Sequence, residues 1–297
     1  MSNSPAASVV IPVLNGEATL GHLLAALKNQ AGAGAFEIIV VDNGSTDRTM
    51  EIARASGATV LQQPVRGPSA ARNLGLHHAR AEIVVYTDSD TIPSRRWLAA
   101  LLAAFVDPDV IIATGPILGW KPSTGAERYA SARAAYTREN TVEHPRHPYA
   151  VGMHLAVRRE SALAIGGWDE SMTSGEDVDF CFRLRQRFGN TICFVEPAVL
   201  FHQHRCTDEA LERQARWHGA GYALFIERHS KFVPWTIFHS GMSCLTVAFL
   251  NLAVPVIAFA RRVGLMSAER AEFEHYYRLW TRHFWVGFFE QRKRKTT

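Results

Sequence analysis

The chain has 297 residues, a formal net charge of +4 and an apolar fraction of 47%. That length supports one large α/β domain with an appendage, and that apolar fraction excludes a disordered or low-complexity chain. Neither a CxxC pair nor zinc-finger spacing occurs among the four cysteines, so we expect reduced thiols and a cytoplasmic protein. The first residues lack the charged and apolar regions of a secretory signal.

Short apolar runs alternate with amphipathic stretches along the first part of the chain. We expect strands at Ser8–Val13, Glu37–Asp42, Val60–Gln63 and Ile83–Thr87, and helices at Ala18–Asn29, Ser45–Ser56 and Ser69–Ala79. Strands without polar alternation, separated by helices, indicate a mostly parallel sheet covered by helices on both faces. Ligands of such sheets bind beyond the carboxyl ends of the strands.

Beyond Val110 the pattern predicts further helices separated by less regular segments. We expect helices at Ser131–Asn140, Asp177–Phe188 and Thr207–His229, a polar loop over Arg138–His147, and mixed structure over Val151–Phe201. The composition changes near residue 230. We therefore predict one α/β domain over residues 1–230 and a helical C-terminal region over residues 231–297.

The triplet Asp88-Ser89-Asp90 directly follows a predicted buried strand. Two carboxylates at this spacing can face one pocket, and hard oxygen ligands suit Mg²⁺ or Mn²⁺. The triplet alone is weak evidence, because a solvated turn or a helix beginning at Asp90 would have the same sequence. Asp42 ends another predicted strand, and we expect Ser45 or Asp47 to cap the helix after it. Capping would leave Asp42 free to accept hydrogen bonds from a base or a ribose.

Five segments, in the same order, resemble the motifs of glycosyltransferase family 2, whose nucleotide-binding domain has the GT-A fold. They are VVIPVLNGEATL (Val9–Leu20), IIVVDNGSTDRT (Ile38–Thr49), GPSAARNLGL (Gly67–Leu76), YTDSD (Tyr86–Asp90) and GEDVDFCFRLRQRFG (Gly175–Gly189). The resemblance implies transfer of a sugar from a nucleotide-sugar donor, expected to be UDP-linked, to a hydroxyl of a glycan or lipid-linked acceptor. It also implies a divalent metal and a single displacement with inversion.

The resemblance assigns donor-binding roles to particular residues. Asp42 would recognise the nucleobase and Asp88 the ribose, while Asp90 would bind the metal that bridges the diphosphate. Further residues expected around the donor are Pro12, Glu17, Ser89 and Arg72. For Arg72 the alternative is a surface ion pair.

The segment His202-Gln203-His204-Arg205 follows the apolar run Ala198–Phe201. Alternate residues of a strand share a face, so both histidines could point into one pocket. The family resemblance favours His202 as the second metal ligand, with His204 in reserve. Arg205 would hold the diphosphate.

Asp177 is the expected catalytic base, which would deprotonate the acceptor hydroxyl. The alternative is a capping arrangement with Ser174 at the N-cap. Glu176, Asp177 and Asp179 crowd three carboxylates together, which raises at least one pKa and favours a proton acceptor near neutrality. We place Glu176 at the acceptor site. Trp168 would form an acceptor platform, with core packing as the alternative.

The C-terminal residues carry the excess positive charge. Residues 261–297 hold nine Lys or Arg and four Glu, a local excess of +5, so anionic lipid headgroups rather than nucleic acid are the expected partner. Phe232–Ala260 contains no Asp, Glu, Lys or Arg. This stretch could cross a bilayer, but basic residues on both flanks favour a re-entrant hairpin, and a buried core helix is the alternative.

Glu272–Gln291 places aromatic residues at spacings of three and four, and Arg292-Lys293-Arg294-Lys295 follows. This pattern predicts an amphipathic helix that resembles an interfacial anchor. A helix packed on the catalytic domain or on a dimer partner is the alternative, and a homo-oligomer stays open. We therefore expect a peripheral or monotopic protein at the inner face of the cytoplasmic membrane.

Processive polymer synthases of the family carry a Q-x-x-R-W motif, whereas this chain has Gln214-Ala215-Arg216-Trp217, one residue shorter. We therefore expect transfer of one sugar or a few. A nucleotidyltransferase would normally show a Gly-rich basic loop after the first strand, and Leu14-Asn15-Gly16-Glu17 is not one. A non-catalytic binding or scaffold protein on the same fold is the third hypothesis, against which the intact aspartates argue.

Overall fold

The computed structural model describes residues 4–133, 136–189, 192–232, 264 and 266–294. The chain divides into two compact units. The first comprises residues 1–120, 134–171 and 176–203, and the second comprises residues 121–133, 172–175 and 204–297. The domain boundary near residue 230 stays a prediction.

All ten described strands belong to the first unit. They are β1 (Ser8–Val13), β2 (Glu37–Asp42), β3 (Thr59–Gln62), β4 (Ile83–Tyr86), β5 (Thr91–Pro93), β6 (Ile112–Thr114), β7 (Ile117–Gly119), β8 (Leu155–Arg158), β9 (Ile192–Phe194) and β10 (Leu200–His202). Seven form one sheet in the order β3-β2-β1-β4-β8-β6-β9, and the other three form a small sheet in the order β5-β10-β7.

The large sheet is mostly parallel, as the sequence predicts. Strands β3, β2, β1 and β4 run parallel to one another, whereas β8 is antiparallel to both β4 and β6. The carboxyl ends of β1, β2 and β4 therefore meet at one edge of the sheet. In the small sheet β10 pairs antiparallel with β5, which places His202 opposite Thr91.

Nine α-helices are described. They are α1 (Leu20–Lys28), α2 (Thr49–Ala55), α3 (Pro68–His78), α4 (Trp97–Ala103), α5 (Gly125–Ala132), α6 (Arg159–Ala164), α7 (Glu176–Phe188), α8 (Asp208–Arg228) and α9 (Ala268–Lys293). In β1, Val9 and Ile11 face a core layer that includes Leu23, while Val10 faces a second layer that includes Trp168. Both faces of the sheet are therefore covered, as buried strands require.

The helix predicted at Ser131–Asn140 is wrong, because α5 spans Gly125–Ala132 and turns cover residues 136–145. A capping box begins α5 early, since the Thr124 side chain accepts from the Glu127 N–H while the Glu127 carboxylate accepts from the Thr124 N–H. The helix start considered at Asp90 is also wrong, because strand β5 follows at Thr91.

In the second unit, α9 packs closely on α8 at two glycines. A Cβ on Gly219 would lie 1.8 Å from the carbonyl oxygen of Phe284, and one on Gly287 would lie 2.0 Å from that of Arg216. Only a hydrogen fits at these points, so the two helix backbones touch. Much of the aromatic face of α9 is packed within this unit, with Phe288 fully buried.

The predicted apolar segment Phe232–Ala260 lies outside the described residues, apart from Phe232 itself. Within the part of the chain that the structure describes, no helix combines the length and the hydropathy that a membrane crossing needs. Helix α9 covers the predicted amphipathic helix Glu272–Gln291 and extends it at both ends. Its role as a membrane anchor stays a prediction.

Candidate active site

Two loops at the edge of the large sheet are joined by backbone hydrogen bonds to side chains. The Asn15 N–H donates to Oγ of Ser45 at 2.8 Å, and the Thr46 N–H donates to Oδ1 of Asn15 at 2.9 Å. Two residues further along each loop, Glu17 accepts a hydrogen bond from the Arg48 N–H at 3.2 Å. The loops after β1 and β2 therefore form one connected edge. Glu17, a predicted donor residue, is exposed on it.

Asp42 ends β2 and is 2% exposed. Its carboxylate accepts hydrogen bonds from the Gly44 and Ser45 N–H groups at 3.2 to 3.3 Å. The expectation that Asp42 has no structural task is therefore wrong, because it holds the turn after the strand. The helix cap predicted at Ser45 or Asp47 is wrong, because Arg48 is the N-cap of α2 and its side chain makes no capping hydrogen bond. Asp47 instead accepts from the Thr49 N–H at 3.0 Å, just before the helix. The nucleobase role of Asp42 stays a prediction.

The third strand end, after β4, carries Asp88-Ser89-Asp90. Oδ1 of Asp88 lies 3.0 Å from a guanidinium nitrogen of Arg72, and the Asp88 side chain is 34% exposed. Removal from water and the negative charge of Asp90 raise the pKa of Asp88, while Arg72 and His202 oppose that rise. Ser89 lies against Gly16 of the first loop, where an added Cβ would meet its Oγ at 3.3 Å. All three predicted strand ends therefore lie together.

Asp90 and His202 are brought together by the small sheet. The Gln203 N–H donates to the Asp90 carbonyl at 3.0 Å, and Nε2 of His202 lies 3.5 Å from Oδ2 of Asp90. Two ligands of one octahedral ion, each at about 2.1 Å, stand roughly 3 Å apart. The pair therefore fits an ion that takes its remaining ligands from phosphate and water. Across the described ranges, no group of three or more His, Cys, Asp or Glu side chains could hold a metal.

Asp177 lies in the first turn of α7 and faces a loop before β8. Its Oδ2 accepts from the Gly152 N–H at 3.1 Å, and its Oδ1 accepts from the Val178 N–H at 2.8 Å. Burial first, and the adjacent Glu176 carboxylate second, raise the pKa of Asp177 to about 6. The Gly152 N–H and the positive charge of Arg72 oppose that rise. A group with this pKa can accept a proton near neutral pH.

Arg72 connects the Asp88 and Glu176 carboxylates. Its Nη1 lies 2.9 Å from Oε1 of Glu176, its Nη2 lies 3.0 Å from Oδ1 of Asp88, and its side chain is 4% exposed. Burial opposes its charge, but the carboxylates of Asp88 and Glu176 outweigh that effect and raise the pKa of the guanidinium. The surface ion pair considered as the alternative is wrong, because the Arg72 side chain is buried and its pair with Glu176 is buried with it.

The remaining predicted site residues lie in varied settings. Trp168 is 2% exposed and stacks on Phe180 with ring centroids 4.2 Å apart, so its acceptor role stays a prediction that the buried ring does not support. Pro12 lies in β1 opposite Val41. Arg205 is exposed and belongs, with His204, to the second unit.

Sequence reasoning did not find Gly152, whose N–H bonds to Asp177. A lone glycine in an irregular segment has no signal of its own, since its role depends on a partner 25 residues away. Asn15 was also passed over as a specific contact. Its left-handed φ of 52°, uncommon outside glycine, fits the side-chain bond that ties the first two loops together.

The glycosyl transferase family 2 model matches residues 8–166, which contain β1, β2, β4 and the Asp88-Ser89-Asp90 triplet. This match covers more than half of the chain. The chain belongs to glycosyl transferase family 2. The resemblance of the sequence motifs to this family is thereby confirmed.

A curated relative of this family 2 chain is the pre-mycofactocin glycosyltransferase of Mycobacterium tuberculosis. The two are 29% identical over 300 residues, which cover 94% of this chain and 62% of the relative. The chain thus spans less than two thirds of the length of that relative.

Solved structures confirm the GT-A fold. Glucosyl-3-phosphoglycerate synthase from Mycobacterium tuberculosis, in complex with Mn²⁺, UDP and glucosyl-3-phosphoglycerate, has a TM-score of 0.54 and 26% identity, over 75% of this chain and 80% of that one. A mannosyltransferase from Pyrobaculum calidifontis, in complex with GDP-Man and Mn²⁺, has a TM-score of 0.65 and 20% identity. That second likeness covers 97% of this chain and 88% of the other, and it supports the fold alone.

Proposed function

We propose that this family 2 chain transfers a sugar from a nucleotide-sugar donor to an acceptor hydroxyl by a metal-dependent single displacement with inversion. The observation that carries the proposal is the pairing of Asp90 with His202 at 3.5 Å, at the strand end that also holds Asp88. Asp177, the proposed base, accepts a hydrogen bond from the Gly152 N–H. Its chain neighbour Glu176 forms an ion pair with Arg72, which also pairs with Asp88.

On this proposal, the edge formed by the loops after β1, β2 and β4 binds the nucleotide. Asp42 and Asp88 accept hydrogen bonds from base and ribose, and Pro12, Glu17 and Ser89 line the same edge. Asp90 and His202 would hold a divalent ion, Mg²⁺ or Mn²⁺, which would offset the negative charge that develops on the leaving diphosphate. Arg205 is proposed to assist at the diphosphate.

Asp177 removes the proton of the acceptor hydroxyl as that oxygen attacks the anomeric carbon. Its pKa of about 6 leaves it mostly ionised at pH 7 and still basic enough to accept the proton. Only one such base is needed for inversion, because no covalent sugar–enzyme intermediate forms. Glu176 is held by Arg72 at 2.9 Å, directly before the proposed base in the chain.

Donor binding tests the proposal directly. We expect a panel of UDP- and GDP-sugars to raise the melting temperature of the protein only when Mn²⁺ or Mg²⁺ is present, because Asp90 and His202 would hold an ion whose charge favours binding of the diphosphate. Both neighbour structures described above hold Mn²⁺, one with UDP and the other with GDP-Man, so both nucleotides belong in the panel.

The matched variants are Asp90→Asn and Asp109→Asn, the second changing an exposed carboxylate in the turn after α4. Asp90→Asn is expected to abolish the metal-dependent stabilisation, and Asp109→Asn to leave it unchanged. A protein that shows no metal-dependent response to any donor, with both nucleotides tested, contradicts the proposed function.

We also propose a glycan or lipid-linked acceptor, and action at the inner face of the cytoplasmic membrane. The support is the basic excess of residues 261–297, of which Arg292, Lys293 and Arg294 are exposed at the end of α9. Anionic headgroups attract such clusters at about 1 kcal/mol per basic residue.

A further inference from the structure

Arg72 has no room to contact a donor. Both terminal nitrogens of its guanidinium face protein carboxylates, at 2.9 Å from Glu176 and 3.0 Å from Asp88. Its Cζ lies 4.8 Å from the centre of the Trp168 ring, so that ring packs against the guanidinium. A side chain that is 4% exposed and surrounded in this way cannot also bind a diphosphate.

Gly152 lies against the same guanidinium from another direction. A Cβ on Gly152 would lie 3.1 Å from Nη2 of Arg72 and 3.2 Å from its Cζ, which is tighter than ordinary van der Waals contact. The Gly152 N–H meanwhile donates to Oδ2 of Asp177 at 3.1 Å. Arg72 therefore lies against Gly152, whose N–H donates to Asp177. It also contacts the carboxylate of Glu176, the residue before Asp177 in the chain.

We infer that Arg72 is a positioning residue which, together with Gly152, fixes the Asp177 carboxylate relative to Asp88. The inference rests on the proposed transfer reaction for its kinetic consequence. A planar guanidinium that contacts two carboxylates through two different nitrogens sets both the separation and the orientation of those carboxylates. A lysine ammonium, which has no planar fork, cannot do this. Asp88 follows β4, at the edge proposed to bind the nucleotide, and Glu176 begins α7 directly before Asp177. The contacts of Arg72 with Asp88 and Glu176 therefore connect that edge to the proposed base.

The charged and titratable groups around Asp177 are Glu176, Arg72 and the buried Cys181. Burial raises the pKa of the Cys181 thiol to about 12, so that thiol stays neutral near pH 7. Glu176 raises the pKa of Asp177, whereas Arg72 and the Gly152 N–H lower it. Any change that moves the guanidinium or this N–H away from Asp177 is therefore expected to raise its pKa.

Gly152→Ala is the sharpest test, because it presses on the guanidinium without removing a charge. We expect kcat to fall about tenfold or more, since small misplacements of a catalytic group are costly. The affinity for the donor with Mn²⁺ should stay within about twofold. The titration midpoint of Asp177, followed by ¹³C NMR in protein without metal and assigned with Asp177→Asn, should move to higher pH. Gly21→Ala is the matched control, because its added Cβ would have no neighbour closer than 3.9 Å.

Arg72→Lys is the second variant, which keeps the charge and loses the planar fork. We expect the same fall in kcat with donor affinity retained, and a circular dichroism spectrum like that of the wild type. Loss of donor affinity with kcat retained, in either variant, would instead make Arg72 a donor contact. An unchanged kcat together with an unchanged Asp177 midpoint would also overturn the inference.

The two proposals fail separately. A wild-type protein that transfers no sugar contradicts the proposed function, and the NMR titration of Gly152→Ala against Gly21→Ala still decides whether Arg72 and Gly152 set the environment of Asp177.

Discussion

At the scale of the residue, the site is made of carboxylates whose settings differ. Asp42 is held by two backbone N–H groups, Asp88 faces a guanidinium, Asp90 lies near an imidazole, and Asp177 is raised in pKa by burial and by Glu176. Four aspartates of identical chemistry can therefore serve different purposes. In the proposed reaction, the environment of each side chain, rather than its type, would separate nucleotide contact, metal ligation and proton transfer.

The pH dependence of Asp177→Asn is a prediction at this scale. Transfer by the wild type should increase as pH rises through about 6, because the ionised carboxylate of Asp177 is the proposed base. The variant should lose about 100-fold to 10,000-fold in kcat, which is the usual contribution of a general base, and should keep donor affinity. A variant that loses donor affinity and keeps kcat would contradict the assignment.

The contribution of Asp177 to the free energy of unfolding should fall as pH rises, whereas transfer activity should increase. Its pKa is higher in the folded protein, about 6, than in an unfolded chain, about 3.9, so the folded state binds the proton more tightly. The resulting stabilisation is complete below about pH 4 and is lost as pH rises through about 6. Urea unfolding should show wild type losing stability relative to Asp177→Asn across that window, with a constant difference above it. A difference that does not vary with pH would count against the raised pKa.

The sequence anticipated which acidic residues gather at the strand ends, because parallel strands carry their carboxyl ends to one edge. The sequence pattern did not predict which groups surround the Arg72 guanidinium. Nothing in the segment GPSAARNLGL shows that the guanidinium lies under Trp168 and between carboxylates from β4 and α7. Such contacts depend on tertiary packing of segments about a hundred residues apart, which local patterns do not encode.

At the scale of the element, long periodic segments were predicted well and short ones were missed. Strands β1 and β2 have the predicted bounds, α7 begins one residue earlier than predicted, and α8 is one residue shorter at each end. The strands β5, β6, β7 and β9 have three residues each, too few for a period to be visible. Helix α5 was misplaced because the capping signal of Thr124 and Glu127 was passed over in favour of the following apolar residues.

The contact between α8 and α9 gives a prediction at the scale of the element. Gly219→Ala places a methyl group 1.8 Å from the carbonyl oxygen of Phe284, so the two helix backbones must separate. We expect a loss of about 1 to 3 kcal/mol in the free energy of unfolding, measured by urea denaturation, because overpacking strains rigid backbone.

Gly21→Ala in α1 is again the matched control, since it adds the same methyl group to a helix without a close neighbour. It should be neutral or slightly stabilising, because alanine has the higher helix propensity. Equal stabilities for Gly219→Ala and Gly21→Ala would show that α8 and α9 do not touch at this point in solution.

At the scale of the whole molecule, the basic end of α9 predicts how the protein meets a membrane. Changing Arg292, Lys293 and Arg294 to Gln should reduce flotation with anionic vesicles by about 100-fold in partition, at about 1 kcal/mol per charge. Added salt should weaken the wild-type interaction in the same direction. Flotation with neutral vesicles should be the same for both proteins.

The matched control replaces three other exposed arginines, Arg54, Arg95 and Arg96, with Gln. If both triple variants lose flotation equally, the attraction reflects net charge rather than the end of α9. These substitutions test the anchor more cleanly than removal of α9, which would uncover buried residues such as Leu211 and Tyr129 of its own unit.

The position of β1 in the sheet also has a consequence for biosynthesis. Its Ser8 pairs with Glu37 of β2 on one side and with Val84 of β4 on the other. A nascent chain can therefore close one edge of β1 early, but the other edge stays open until β4 has left the ribosome. That open edge of β1, a strand in which only Ser8 is polar, can pair with other chains, so the interval before β4 emerges is when a chaperone would protect this protein most. The same event that closes the edge brings Asp88 to the loops after β1 and β2.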